Sequence, residues 1–224
     1  MIDQILIAID GPAGSGKSTI AKLLAKKLRI NYLDTGAMYR AVAYYLKMKG
    51  YSPSEDLSEE LEKLKIDYKD GDLYINGIKV GEEIRSPEVG KLASDFAKIQ
   101  TVRERLTKIQ RTICEKGSFV VDGRDIGTVV LPHADVKIFL TASFEERVKR
   151  RLKELQEKGI QATYEQVAQE MMQRDEQDSS RSIAPLKPAQ DAFIIDTTGK
   201  TVEEVLNQIC EIISRRVKCE YSGC

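Results

Sequence analysis

Residues 5–28, ILIAIDGPAGSGKSTIAKLLAKKL, decide the fold class of this 224-residue chain. The run from Ile5 to Ile9 is continuously apolar and rich in β-branched side chains, which is typical of a strand buried on both faces of a parallel sheet. A glycine-rich turn follows. Apolar residues at helical spacing then predict a helix from about Lys17 to Leu28. The order strand, glycine turn, helix indicates an α/β protein.

The same order returns three times further along the chain. We predict strands at 119–122, 136–140 and 192–196. The second precedes a helix that begins near Ser143, with Glu146 completing a capping box, and the third precedes a helix from about 202 to 217. Strands that alternate with helices in this way predict a mostly parallel sheet core flanked by helices.

Two stretches depart from this alternation. Residues 66–84 carry D-G and N-G pairs between short alternating segments, which predicts a small antiparallel unit inserted into the core. Residues 157–182 predict a turn at a glycine followed by a polar helix with few apolar side chains to bury. We therefore expect this segment to cover another part of the protein and to move. The tail at 218–224 is predicted to be frayed.

Composition excludes several classes of protein. The chain has 35 basic and 35 acidic side chains, and this zero net charge argues against a protein that coats nucleic acid or an anionic membrane. Its single histidine, His133, rules out a multi-histidine metal site. The first apolar run is too short for a signal peptide or a membrane span. No two cysteines are spaced as C-x-x-C, which favours reduced thiols and a cytoplasmic location; the four are Cys114, Cys210, Cys219 and Cys224.

Residues 11–18, GPAGSGKS, match G-x-x-x-x-G-K-[ST] between the first predicted strand and the first predicted helix, which is the context this motif requires. Glycines let the backbone turn tightly and point its N–H groups at phosphate oxygens, and the helix N-terminus adds partial positive charge. In loops of this class the lysine reaches the β- and γ-phosphates and the hydroxyl holds Mg²⁺, which assigns Lys17 and Ser18. The sequence therefore predicts a nucleoside triphosphate site.

The loop alone does not identify the reaction. The chain has no N-K-x-D guanine-specificity motif, which disfavours a switch GTPase. Charged residues gather at helical spacing in two places, and each set by itself is more typical of a solvated ion-paired face than of a phosphate-binding face. The two sets are Arg147, Arg150 and Arg151, and, if one helix runs through them, Arg174, Asp178 and Arg181.

Four segments resemble the bacterial cytidylate kinase family of P-loop nucleoside monophosphate kinases: DGPAGSGKST at 10–19, LDTGAMYR at 33–40, DGRDIGT at 122–128 and RDEQDSSR at 174–181. The resemblance spans essentially the whole chain. It implies a single P-loop kinase domain over 1–224, with a monophosphate-binding lobe at 36–100 that contains the small antiparallel sheet, and a helical lid at 157–182. The implied activity is transfer of the γ-phosphoryl group of ATP to CMP or dCMP, with Mg²⁺.

The resemblance also implies roles for individual residues. Thr35 stands where the family often has serine and keeps the hydroxyl that would read the cytosine edge, while Tyr39 would pack on the nucleotide. Implied contacts to the base, phosphates or pentose come from Arg40, Arg103, Arg124, Asp125, Arg174, Asp178 and Arg181. The implied ATP loop is Gly11, Pro12, Ala13, Gly14, Ser15, Gly16, Lys17, Ser18 and Thr19.

The predicted mechanism needs no protein general base, because the attacking phosphate oxygen is already anionic and catalysis rests on positioning and charge stabilisation. We expect Ser18 to bind Mg²⁺ directly and Asp122 to hold it through water, although Asp122 could instead cap a turn. The predicted charge stabilisers are Lys17, Arg124 and Arg181, with Arg150 or Arg151 joining when the lid closes.

Two other functions stay open at this point. One is a P-loop kinase for another small acceptor, such as UMP, AMP or shikimate. The other is a P-loop module that uses ATP as a conformational switch and has no acceptor. A nucleic-acid enzyme is disfavoured by the zero net charge and the lack of an aromatic-rich basic stripe. We expect a monomer with no nucleic-acid or membrane partner.

Overall fold

A computed structural model describes residues 4–69 and 71–216, so the predicted frayed tail at 218–224 lies outside the described residues. The chain forms two compact units, the first built from residues 1–32 and 118–224 and the second from Leu33–Gly117. Within the described ranges, no helix is both long enough and apolar enough to cross a membrane.

The first unit is built around a five-stranded sheet with the strand order β2-β6-β1-β7-β8 in the part of the chain described. Strand β1 pairs in parallel with β6 and β7, and β7 pairs in parallel with β8. The strands are β1 Leu6–Asp10, β2 Asn31–Asp34, β6 Phe119–Gly123, β7 Val136–Thr141 and β8 Phe193–Asp196. The helices are α1 Lys17–Leu28, α6 Phe144–Glu157, α7 Tyr164–Ser180 and α8 Val202–Arg216. The predicted α/β fold with a parallel sheet is confirmed.

The core of this unit explains why β1 reads as an unbroken apolar run. Ile7, Ala8 and Ile9 have no exposed surface, because side chains on both faces of the central strand are covered. Leu24 of α1 and Ile209 of α8 belong to the same buried cluster. The sheet in turn fixes the carboxyl ends of its strands, which is the edge where parallel α/β folds bind ligands.

The second unit contains the predicted lobe 36–100 and continues through a further helix. Its helices are α2 Thr35–Met48, α3 Ser58–Lys63, a 3-10 helix at Glu82–Arg85, α4 Pro87–Phe96 and α5 Gln100–Cys114. A three-stranded antiparallel sheet joins β3 Ile66–Lys69, β4 Asp72–Ile75 and β5 Ile78–Lys79, as the turn pairs predicted. Asn76 and Gly77 both have positive φ, 50° and 80°, which is the backbone that a tight hairpin between β4 and β5 requires.

The prediction that 157–182 has little to bury is wrong. Val167 and Met171 of α7 are buried against Val148 and Leu155 of α6 and form a small separate core. Their i, i+4 spacing in an otherwise polar helix is a weak signal by itself, and it becomes an apolar contact only because α6 supplies the partner surface.

The helix α6 begins after Ser143 as predicted, but the end of α7 and the capping box of α6 differ from the prediction. Helix α7 stops at Ser180, and Arg181 is its C-cap with ψ 133°, so Arg181 does not continue the helical face of Arg174 and Asp178. At the start of α6, Ser143 accepts a hydrogen bond from the Glu146 backbone N–H at 3.3 Å. The Glu146 carboxylate accepts from Arg150 instead of completing a capping box.

Candidate active site

The glycine-rich loop is packed against its own unit so closely that two of its glycines cannot carry a side chain. A Cβ at Gly11 would overlap the Leu140 carbonyl oxygen of β7, and one at Gly14 would lie 2.7 Å from the Arg147 carbonyl oxygen of α6. Gly16 is the N-cap of α1 with φ 86°, and the first turn of that helix has no acidic residue. The loop therefore ends on a helix N-terminus whose N–H groups suit an anion.

Lys17 is buried in this loop, and its ammonium donates to the Pro12 carbonyl oxygen at 3.1 Å. Burial, followed by the nearby Arg124, lowers the pKa of Lys17 to about 7. The Ser15 hydroxyl is also buried and has no hydrogen-bond partner in the described part of the chain. A desolvated lysine and an unsatisfied hydroxyl in one loop suit phosphate oxygens, whereas the Thr19 side chain is exposed.

Three oxygen-bearing side chains meet near the end of β6. The Ser18 hydroxyl donates to Asp122 Oδ2 at 2.6 Å, and the Tyr32 hydroxyl donates to Asp122 Oδ1 at 2.8 Å. Oxygen ligands of this kind are those that Mg²⁺ prefers, so the pair Ser18 and Asp122 fits the predicted ion. Tyr32 orients the carboxylate from its second oxygen, a role that no sequence motif indicated.

A buried ion-pair cluster follows β6. Arg124 Nε donates to Asp178 Oδ2 at 2.9 Å, and a terminal nitrogen of Arg181 lies 3.6 Å from Asp178 Oδ1. Burial alone would raise the pKa of Asp178, but Arg124, Arg174 and Arg181 outweigh it and hold that pKa below its ordinary value. The structure thus joins the DGRDIGT segment to the RDEQDSSR segment through one charged carboxylate.

Arg150 and Arg151 have different surroundings. Arg150 donates to the Thr197 hydroxyl and to the Thr197 carbonyl oxygen, each at 2.8 Å, and the same hydroxyl lies 3.3 Å from the Ser15 carbonyl oxygen in the glycine-rich loop. Arg151 pairs with Glu154 at 2.9 Å on the partly exposed side of α6. Arg150 is therefore linked to the phosphate-binding loop through Thr197, while Arg151 is held in a local helix pair.

Arg147 ties the same loop to α7. Its NH1 group donates to the Ala13 carbonyl oxygen at 3.1 Å and to Asp175 Oδ2 at 2.6 Å. Its Nε donates to the Ala142 carbonyl oxygen at 3.2 Å. Sequence reasoning named Arg147 only as part of a helix face and missed Asp175. No local pattern could have found this pair, because the two residues belong to different helices.

The second unit positions its own set of predicted residues at the start of α2. Thr35 is buried in the first turn, and Asp34 caps the helix by accepting from the Ala37 N–H at 2.7 Å. The other oxygen of Asp34 pairs with Arg40 at 3.2 Å. Asp34 lies inside the LDTGAMYR segment, so its signal was present although its role was not assigned.

Arg103 of α5 lies over the ring of Tyr39, with its guanidinium carbon 5.6 Å from the ring centroid. It also donates to the Ala97 carbonyl oxygen at 3.1 Å. Arg103 is 4% exposed, so a cation is held deep in this unit beside an aromatic face. Two residues predicted from separate segments are thus in contact.

A parallel sheet that ends in a tight glycine loop with a buried lysine, at the N-terminus of a helix, defines a P-loop protein of the nucleotide-binding α/β class. The cytidylate kinase family profile matches residues 7–215. The chain belongs to the cytidylate kinase family. This confirms the family and enzyme predictions made from the sequence motifs, and the other acceptors and the switch module are not favoured.

Relatives match over their full length. The cytidylate kinase of Pseudothermotoga lettingae is 63% identical over 223 residues, covering 100% of both chains. The cytidylate kinase of Thermotoga maritima is 59% identical, covering 94% of this chain and 97% of the relative. Among solved structures, TT1252 from Thermus thermophilus has a TM-score of 0.51 at 16% identity, covering 96% of this chain and 98% of the other. An uncharacterized protein from Eubacterium ventriosum reaches 0.56 at 18%, covering 95% and 100%. These structures share the fold.

Proposed function

We propose that the chain transfers the γ-phosphoryl group of ATP to CMP or dCMP, with Lys17, Arg124 and Arg181 stabilising the transferred group. The observation that carries this proposal is Lys17, which is buried in the glycine-rich loop with its ammonium group on the Pro12 carbonyl oxygen and with Arg124 and Arg174 near enough to perturb it. A site that holds several positive charges away from water is pre-organised for the charge that a phosphoryl group spreads over its oxygens in the transition state.

Arg150 is a better candidate than Arg151 for a further side chain that stabilises charge on the transferred phosphoryl group. It is already linked to the glycine-rich loop through Thr197, and a Cβ at Gly16 would lie 3.8 Å from its NH1. Arg151 is instead paired with Glu154, and this pair would first have to break. The attacking oxygen of the nucleoside monophosphate carries its own negative charge, so the residues of this chain need only orient and stabilise, and His133 has no part.

Mg²⁺ would be held by Ser18 directly and by Asp122 through water, and it would supply neutralisation of the β- and γ-phosphate oxygens. Tyr32 and Ser18 keep the Asp122 carboxylate oriented from both of its oxygens. The residues of the chain thus present a fixed carboxylate and a hydroxyl at the end of β6.

We further propose that the acceptor nucleotide is bound through the residues that the family motifs indicate. Arg40 is held by Asp34 and Arg103 is held over Tyr39, so both guanidinium groups are oriented before any nucleotide binds. The proposed acceptor-binding residues are Thr35, Tyr39, Arg40, Arg103, Arg124, Asp125, Arg174, Asp178 and Arg181.

The remaining assignments are proposals of the same kind. We propose a monomeric cytoplasmic enzyme with one P-loop kinase domain, a monophosphate-binding lobe at 36–100 and a lid at 157–182. The small core shared by α6 and α7 supports a lid that moves as a folded piece rather than as a loose loop. Hydrogen exchange in 157–182 should slow when a bisubstrate analogue binds; unchanged exchange would contradict closure.

An acceptor panel tests the function. CMP, dCMP, UMP and AMP are each supplied with Mg²⁺-ATP, and ADP release is followed in a coupled assay. We expect CMP and dCMP to be preferred, and Lys17→Ala to reduce kcat by about 100-fold or more, since loss of one charge-stabilising group costs that much. Lys26→Ala, on the exposed side of the same helix, is the matched control and should keep full activity. A preference for AMP or UMP would refute the proposal.

A further inference from the structure

Asp10 is a buried carboxylate at the end of β1, directly before the first glycine of the phosphate-binding loop. Its two oxygens accept hydrogen bonds from two consecutive backbone N–H groups. Oδ1 accepts from Ile126 at 2.8 Å and Oδ2 from Gly127 at 2.8 Å. Neither the P-loop motif nor the predicted mechanism gives this side chain a function.

The backbone that Asp10 holds begins just after Arg124. Asp125 is the N-cap of a π-helical turn at Ile126–Val130, and its carbonyl oxygen accepts from the Val129 and Val130 N–H groups. The space beside Gly127 is limited, because a Cβ there would lie 3.2 Å from Lys137 Cδ and 3.4 Å from Asp10 Oδ2. One carboxylate therefore fixes the start of the phosphate-binding loop to the turn that follows Arg124.

A buried acid in this position has a physical cost. Burial raises the pKa of Asp10 to about 7, against the two backbone hydrogen bonds that favour its charged form. The charge of Asp125 raises this pKa and that of Arg124 lowers it, and the Lys137 stem lies beside Gly127 and Asp10. An apolar residue would avoid this cost but would leave two buried N–H groups without acceptors. The carboxylate thus secures this backbone connection.

We propose that Asp10 is a positioning residue for phosphoryl transfer: its carboxylate clamps the backbone from which Arg124 reaches toward the transferred phosphate. The inference rests on the proposed role of Arg124. A guanidinium group stabilises the transition state only when it lies at hydrogen-bonding distance from the phosphate oxygens. Misplacing it by about 1 Å can lower the rate by a factor of about 100. Two hydrogen bonds to adjacent residues fix both the position and the tilt of that backbone.

The first test is Asp10→Asn, which keeps the shape and one acceptor oxygen but turns an NH₂ group toward a backbone N–H. We expect kcat to fall by about 10- to 100-fold while the KM for ATP changes less than about threefold. The matched control is Asp135→Asn. Asp135 Oδ2 accepts from the N–H of Leu6, the first residue of β1, at 2.8 Å, so this carboxylate also holds a backbone N–H but at the opposite end of β1 from Asp10. This control should keep kcat, and an unchanged kcat in a folded Asp10→Asn variant would overturn the proposal.

A double-mutant cycle separates positioning from a general structural effect. In an Arg124→Met background the position of residue 124 no longer matters, so adding Asp10→Asn should change kcat by less than about twofold. If Asp10→Asn lowers kcat by the same factor in both backgrounds, Asp10 does not act through Arg124. That result would overturn the positioning proposal and leave the proposed role of Arg124 intact. Full activity of Arg124→Met alone would instead remove the proposed role of Arg124, and the positioning proposal with it.

The unmodified enzyme provides a test that does not depend on folding of the variant. The amide protons of Ile126 and Gly127 are followed by NMR between about pH 5.5 and 8.5. Protonation of Asp10 weakens both hydrogen bonds, so both resonances should move upfield together as the pH falls, with one common midpoint. Resonances that do not move, or that move with different midpoints, would show that one carboxylate does not hold both amides and would overturn the proposal.

Discussion

Replacing Asp178 by asparagine should destabilise the nucleotide-free protein, because Asp178 pairs with Arg124 in a nearly buried setting. The two side chains are 9% and 16% exposed, and their atoms are 2.9 Å apart. Asparagine keeps the shape but leaves Arg124, Arg174 and Arg181 near one another without the anion. Breaking a fully buried pair costs about 3–5 kcal/mol, and the residual exposure of Arg124 brings the expected cost to about 2–3 kcal/mol.

This free energy converts into a measurable melting shift. For a domain of this size each kcal/mol lowers the Tm by about 2–4 °C, so we expect a drop of roughly 4–12 °C in calorimetry at pH 7 without nucleotide. The matched control is Glu59→Gln, which removes the single exposed Glu59 pair with Lys63 in α3. An exposed helix pair of that kind is worth about 0.3–0.5 kcal/mol, or roughly 1–2 °C.

The dependence on pH is a second check on the same reasoning. The pKa of Asp178 lies below its ordinary value of 3.8, so its contribution to stability is complete above that pH and is lost only as the pH falls further. The Asp178 carboxylate should therefore stay charged from about pH 6 to 8, and because it also raises the pKa of Lys17, any change in the Tm difference within this range should follow the titration of Lys17. A variant that melts within about 2 °C of wild type, or a difference that disappears within this range, would refute the argument.

Two other predictions follow from the glycine-rich loop. Because the pKa of Lys17 is about 7 in the nucleotide-free protein and a polyanion raises it, ATP binding at pH 8 should take up protons. Titration calorimetry in buffers of different ionisation enthalpy measures this uptake, which Lys17→Met should abolish and whose absence in wild type would contradict the lowered pKa. Gly11→Ala should abolish ATP binding and lower the Tm, since its Cβ would overlap the Leu140 carbonyl oxygen. By contrast, a Cβ at Gly90 in α4 meets no described atom within 4 Å, so Gly90→Ala should stabilise by about 0.5–1 kcal/mol; equal Tm shifts in the two variants would contradict the packing argument.

Much of the fold could be predicted because its signals are local. The helix α1 has the predicted bounds Lys17–Leu28, since the motif fixes its start and the apolar spacing runs to its end. The buried strands are recognisable as continuous apolar runs, and the N-G pair predicts the hairpin between β4 and β5. The burial of Met171 could not be predicted in the same way, because its partners lie on another helix and its own helix is mostly polar.

The candidate site likewise contains residues that the sequence identifies and residues that only the structure identifies. Lys17, Ser18 and Arg124 lie in motifs, and a motif identifies them directly. The residues that hold them do so across long separations in sequence: Tyr32 and Asp122 are 90 positions apart, and Asp10 and Ile126 are 116. An aspartate or tyrosine at such a position has no local pattern, so its role becomes visible only when the sheet brings the two segments together.

The zero net charge of the chain hides a local excess of positive charge in the first unit. Arg124 and Arg174 are the cations that perturb Lys17 most, and Asp122 and Asp178 are the carboxylates that oppose them. Both carboxylates are already engaged, Asp122 by two hydroxyls and Asp178 by two arginines, so neither can neutralise the lysine fully. Burial first, and then the nearby Arg124, therefore keep the pKa of Lys17 low in the nucleotide-free protein. Nucleotide binding should therefore relieve an electrostatic cost already present in the folded chain, which links phosphate affinity and stability to the same few charges.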